Sequence, residues 1–248
     1  MDQFKFSLGP FELFASIIGG MPLFLAAYIW YQPIQDLPDL AHSIQENASL
    51  SNAFVVLFVS YILSTTFRSL TWKCFAYLAR RLKRSHRYFG ELIVSKRGQL
   101  GAIAERIQIE GIHSSALSFE DRLVYLLEEK IGIPEKTYWI DTRIEAYLRE
   151  HNKRDTLNTV ELHLATHIMY RTWSFGFCVL GLILLINPFR AGQHSFAVWL
   201  LPLLSFLFAY LNFSMALNFK RWHNRELLLG FYFAAMNQPS PGTPLKMT

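Results

Sequence analysis

Four long stretches of this chain carry no Asp, Glu, Lys or Arg, and that absence restricts the fold more than any other feature of the sequence. They cover 13–35, 47–67, 172–189 and 191–219, or 23, 21, 18 and 29 residues. An α-helix rises about 1.5 Å per residue, so about 20 apolar residues cross the ~30 Å hydrocarbon core of a bilayer. Helices on the surface of a water-soluble domain keep a polar face that recurs every three or four residues. LFASIIGGMPLFLAAYIWY and AFVVLFVSYIL keep almost none. The reading is an all-α, polytopic membrane protein with four transmembrane helices, over about 12–32, 50–72, 169–188 and 196–219. The third is the shortest, and it gains Met169 and Tyr170 if Arg171 snorkels back to the headgroups.

Charge then sets orientation. Of the 24 Lys and Arg residues, 18 fall in 68–171, four follow Phe219, one is in the N-terminal arm, and one, Arg190, stands between the third and fourth runs. The connection 36–46 holds Asp36, Asp39 and Glu46 and neither Lys nor Arg. Cytoplasmic loops carry the Lys/Arg excess of multi-pass proteins. Both termini and the central segment are therefore placed in the cytoplasm, beneath a plasma membrane or bacterial inner membrane. Residues 1–88 form a transmembrane hairpin whose second helix continues into the cytoplasm, and 89–165 form a small helical cytoplasmic domain between spans two and three. Residues 166–238 form a second hairpin, and 239–248 a Pro/Ser-rich disordered tail. RWHNRELLLGFYFAAM, at the end of that second hairpin, is read as an amphipathic extension in the interface or a cover for a partner subunit.

The basic cluster Arg80, Arg81, Lys83, Arg84 and Arg87, with Lys220 and Arg221, is assigned to the membrane surface. There each cation near anionic lipid contributes about 1 kcal/mol. Charge alone attracts any phosphate surface, and no nucleic-acid-binding signature accompanies this patch. The bilayer, and not a nucleic acid, is the partner expected.

Within the central segment, SFEDRLVYLLEEKIG has Ser118 as N-cap and Gly132 as its stop. TYWIDTRIEAYLREHN puts Ile140, Ile144, Tyr147 and Leu148 on one face. GQLGAIAERIQIEG is a weaker helix, because Gly101 lowers its propensity, and ELIV at 91–94 is a short strand candidate without a partner. DTLNTVELHLATHIMYRTW starts at an Asp155 or Thr156 cap and runs without a breaker into the third span. About 80 residues bury only a modest core, so packing on the extended second and third helices or on another subunit, in a homo-oligomer, is expected.

Candidate chemistry is sparse. Cys74 and Cys178 lie far apart in sequence and form neither a disulfide framework nor a metal motif. His163 and His167, four apart on one helical face, are the weak candidates for metal, but a zinc-protease motif needs Glu where Leu164 stands. No catalytic residue and no cofactor is assigned. Gly19, Gly20, Ser60, Ser64 and Thr65 either line a pore or, as small residues usually do, let membrane helices approach closely.

In architecture the chain resembles small membrane components of bacterial stress or phage-defence operons, in which a cytoplasmic part senses or docks a partner and the membrane part responds. The resemblance implies a non-enzymatic inner-membrane sensor or effector whose cytoplasmic domain binds a protein partner or signal, altering membrane permeability in stress or antiviral defence. The alternatives are an oligomeric channel or small-solute transporter, and a membrane metalloenzyme using His163 and His167.

Overall fold

The computed structural model describes residues 10–33, 42, 45–46, 49–82, 93, 96–115, 117–133, 139–191 and 196–237. All regular structure among the described residues is helical: α1 Pro10–Tyr31, α2 Leu50–Thr66, α3 Arg68–Arg81, α4 Leu100–Glu110, α5 Phe119–Ile131, α6 Ile140–Glu150, α7 Arg154–Ala191 and α8 Phe196–Met236. Of the strand candidate at 91–94 only Ile93 is described, and it is helical. Residues 239–248, read as a disordered tail, lie outside the described residues.

Three helices are long and apolar enough to cross a membrane, over Phe11–Tyr31, Arg154–Arg190 and Trp199–Met236, and α2 with α3 makes a fourth if the bent pair is one span. The second helix, expected to continue into the cytoplasm, is broken at Phe67. The two helices meet at 56°, with neither Pro nor Gly at the break. The Thr65 hydroxyl donates to the carbonyls of Tyr61 and Ile62, both at 2.9 Å, and such hydroxyl bonds back to the preceding turn bend helices. Just beyond the break, Arg68 at the start of α3 pairs with Glu12 in the first turn of α1.

The chain divides into two compact units, Met1–Arg84 with Glu161–Lys220, and Ser85–Val160 with Arg221–Thr248. In the first, α1 packs on α2 and α7. Its apolar core includes Ala26 and Ile29 of α1 with Leu180 and Leu184 of α7, and Phe75 and Ala79 of α3 with Phe213 and Leu217 of α8. The Trp173 indole N–H donates to the Ile18 carbonyl at 2.7 Å. Glycine makes the closest approach possible. A Cβ on Gly20 would lie 1.8 Å from the Ser60 carbonyl oxygen, and one on Gly176 would lie 2.9 Å from Pro22 Cβ. The polarity of this unit is inverted relative to a water-soluble domain. Ser16, Ser60, Ser64, Thr172, Asn187 and Ser205 are buried, while Phe14, Phe54, Phe58, Leu182, Leu203 and Leu207 are exposed.

In the second unit the caps read for α5 are formed. Ser118 accepts from the Asp121 amide at 3.1 Å to start α5, and Gly132 ends it at φ 63°. α6 presents the expected Ile140, Ile144, Tyr147 and Leu148 to the core. The weaker candidate also forms, as α4, closed by Gly111 at φ 80°. The stretch read as an interfacial extension is instead the continuation of α8, and Leu227, Phe231, Tyr232, Ala234 and Ala235 are buried in the same core as α5, α6 and the start of α7. The unit is thus discontinuous in sequence. A Cβ on Gly230 of α8 would meet Thr156 Cγ2 of α7 at 2.4 Å.

Candidate functional site

The first turns of α3 bring Arg68 and Trp72 against charged groups of α1 and α7. Arg68 stands one residue past the bend, and its partner Glu12 neutralises it. The Thr71 hydroxyl donates to the Arg68 carbonyl at 2.9 Å, which holds that turn. One helical turn beyond Arg68 comes Trp72, and over its ring, 5.2 Å from the centroid, lies the guanidinium carbon of Arg171 from α7.

Arg171 departs furthest from the sequence expectation. Far from snorkelling to the surface, it is 6% exposed. Its Nε makes no hydrogen bond, and among the described residues no carboxylate pairs with it. Arg68 is near enough to act on it electrostatically. With one acid, Glu12, among three charged groups, this layer keeps one uncompensated positive charge among the described residues. A stacked cation on Trp gains about 2 kcal/mol when desolvated, whereas a buried charge without a counter-ion costs several.

Beside Arg171 opens a half-open cavity of about 480 Å³. α3 contributes Thr71, Cys74, Phe75 and Leu78, α7 contributes Ser174, Phe175 and Cys178, and α8 contributes Phe206, Ala209 and Phe213. Among the described residues no Asp or Glu lines it. Both cysteines, which carry no signal in sequence, share this wall, Cys74 half-buried and Cys178 exposed.

The sequence-selected residues scatter around this centre. His167, one turn before Arg171, is buried with Nδ1 2.8 Å from the Ala216 carbonyl oxygen, its ring edge-on to Phe75 and Trp72 at 5.1 and 6.2 Å. His163 is half-buried with its ring 6.0 Å from Phe219. Among the described residues there is no group of three or more His, Cys, Asp or Glu placed to hold a metal ion. Gly20 and Ser60 meet backbone to backbone, and Gly19 faces Ser64 Oγ at 3.6 Å and Thr172 Cβ at 3.4 Å, measured from an added Cβ. Thr65 is half-buried, its hydroxyl engaged within its own helix. Arg80, Arg81 and Arg221 are exposed and Lys220 half-exposed, while Lys83, Arg84 and Arg87 lie outside the described residues.

The sequence contains one sign of the buried arginine. Arg171 is the only charged residue between Glu161 and Arg190, and an ionisable group inside a span normally faces the bundle interior. The chain matches no protein-family model, no curated protein and no solved structure.

Proposed function

We propose that this chain is a four-span protein of a plasma or bacterial inner membrane, with both termini and the second unit cytoplasmic, and that it acts without catalysis as a sensor or effector. The second unit binds a cytoplasmic partner or signal, and the membrane helices respond, in stress or antiviral defence by changing permeability. The inverted polarity of the first unit and the one-sided distribution of Lys and Arg support the membrane placement.

The observation that carries the coupling is that α7 and α8 belong to both units. Leu157 and Val160 of α7 and Leu227 and Phe231 of α8 lie in the core of the second unit, and further along the same helices Leu180, Leu184, Phe213 and Leu217 lie in the cores of the first. At 38 and 41 residues these helices run about 57 and 62 Å, roughly twice the hydrocarbon thickness. A ligand that repacks the second unit therefore acts on elements whose other ends pack in lipid.

The test perturbs one unit and reads the other. Gly230→Ala puts a methyl 2.4 Å from Thr156 Cγ2, between α8 and α7, and Thr156→Ser removes the Cγ2 that the new methyl meets. Maleimide labelling of Cys178 in native membranes should change about 5-fold or more in G230A, the lower end of typical coupling energies, and return in G230A/T156S. Unchanged labelling in a folded G230A protein would overturn the coupling.

A further inference from the structure

We infer that the cavity beside Arg171 is a binding site for an anionic phospholipid of the surrounding bilayer, its acidic headgroup on the Arg171 guanidinium and one acyl chain between α3, α7 and α8. The inference rests on the membrane placement proposed above, and extends it by assigning a ligand and a residue.

Shape and chemistry agree on the ligand class. A volume of about 480 Å³ falls within the 300–1,000 Å³ typical of small-molecule sites. The wall is almost wholly apolar, from Phe75, Leu78, Phe175, Phe206 and Phe213, so the bulk of the occupant must be hydrocarbon. The polar anchor is Arg171, 6% exposed, with an Nε that makes no hydrogen bond and, among the described residues, no carboxylate on the cavity wall. A guanidinium presents planar paired donors that match phosphate, so the missing counter-charge is an anion. Arg68 cannot meet that need, and its own charge is already balanced by Glu12.

The depth also fits. Arg171 directly precedes the uncharged run 172–189, and Trp72 and Tyr77 on α3 are residue types that settle at headgroup level. The cavity is half-open, which leaves room for a second acyl chain to lie outside it. A free fatty acid shares the acyl chain and a negative end but has no second chain to use that opening.

The experiment uses the full chain in nanodiscs and in mild detergent. Phosphatidylglycerol and phosphatidylcholine are the probes, native mass spectrometry reads retained lipid, and maleimide labelling of Cys74 and Cys178 reads cavity occupancy. Wild type should retain phosphatidylglycerol over phosphatidylcholine about tenfold, because the choline ammonium cancels the phosphate charge that would balance Arg171, and phosphatidylglycerol should slow labelling of both cysteines. Arg171→Met should abolish that selectivity. Ala209→Phe, which fills the cavity and leaves the guanidinium, should lose retention of both lipids. Equal retention by wild type, selectivity that survives in R171M, or displacement of phosphatidylglycerol by palmitate at equal concentration would each overturn the assignment. Alkaline carbonate washing separates this from the parent reading: a chain that stays with membranes but shows no selectivity disproves the site alone, and a chain released by carbonate disproves the membrane placement.

Discussion

Gly20→Ala tests the packing of the first unit at its tightest point. The new Cβ would lie 1.8 Å from the Ser60 carbonyl oxygen, 2.5 Å from its carbon and 2.9 Å from its Cα. All three atoms are main chain, so no rotamer can relieve the overlap, and a substitution at Ser60 cannot rescue it. Carbon–oxygen contacts settle at about 3.3–3.6 Å, so α1 and α2 must separate by about 1.5 Å. That displacement would also loosen Gly19 from Ser64. Overpacking costs typically 1–3 kcal/mol, with a rigid backbone at the upper end. Replacing a helical Gly by Ala returns about 1 kcal/mol of propensity, so the net loss is about 2 kcal/mol. Unfolding of the detergent-solubilised protein by SDS titration, followed by tryptophan fluorescence, measures it. Gly19→Ala is the control, since its Cβ would meet atoms only at 3.4–3.6 Å, ordinary contact, and should be neutral or slightly stabilising. A G20A protein as stable as G19A would refute the backbone contact.

Other consequences follow from single contacts. His167→Ala removes a buried ring and its hydrogen bond to the Ala216 carbonyl, and should cost about 2–4 kcal/mol in the same titration, whereas a His167 held only loosely for metal would cost little in metal-free buffer. In the second unit, Lys96 Nζ reaches Asp121 at 2.6 Å and Glu120 at 3.4 Å. Burial pushes the Asp121 carboxyl up, but the bonds from Lys96 and Ser118 outweigh it and hold the carboxyl below its ordinary value. The Asp121 bond holds the Lys96 ammonium above its own, against the opposing effect of burial. The contribution of Asp121 is therefore present above about pH 4 and lost as pH falls through its folded value, and that of Lys96 is present below about pH 10.5 and lost as pH rises past its folded value. Lys96→Met should shrink the fall in urea midpoint between pH 5 and 3, and an unchanged acid limb would exclude the pair as its source. Expression together with the cognate trigger should collapse membrane potential, read by a voltage-sensitive dye; a steady signal in an active system would count against the effector reading.

The all-helical architecture and its long apolar helices are legible because lipid-length runs without charge leave few alternatives, and α5 is legible because Ser118 and Gly132 are chemically specific signals. The bend at Phe67 is not, since hydroxyl bonding by Thr65 competes with the ladder without the mark that Pro leaves. Nor is the discontinuous second unit. Leu227, Phe231 and Ala235 repeat every four residues, and that spacing reads the same whether the face covers lipid, a partner or α5 and α6. The Arg171 site escapes for a related reason: a lone arginine at the edge of an apolar run is ambiguous between snorkelling and burial until Trp72, sent across by the bend, is placed beneath it. Cys74 and Cys178 meet on one wall only because α3 and α7 do.

Compartment mapping reaches the central claim most directly. Paired phosphatase and fluorescent-protein fusions after residues 40, 100, 193 and 237, made in the full-length background, report which aqueous side each position occupies. The four-span account predicts 40 and 193 outside, 100 and 237 inside. If 40 and 100 report the same side, the bent pair α2–α3 does not cross, and the cytoplasmic placement of the second unit fails with it.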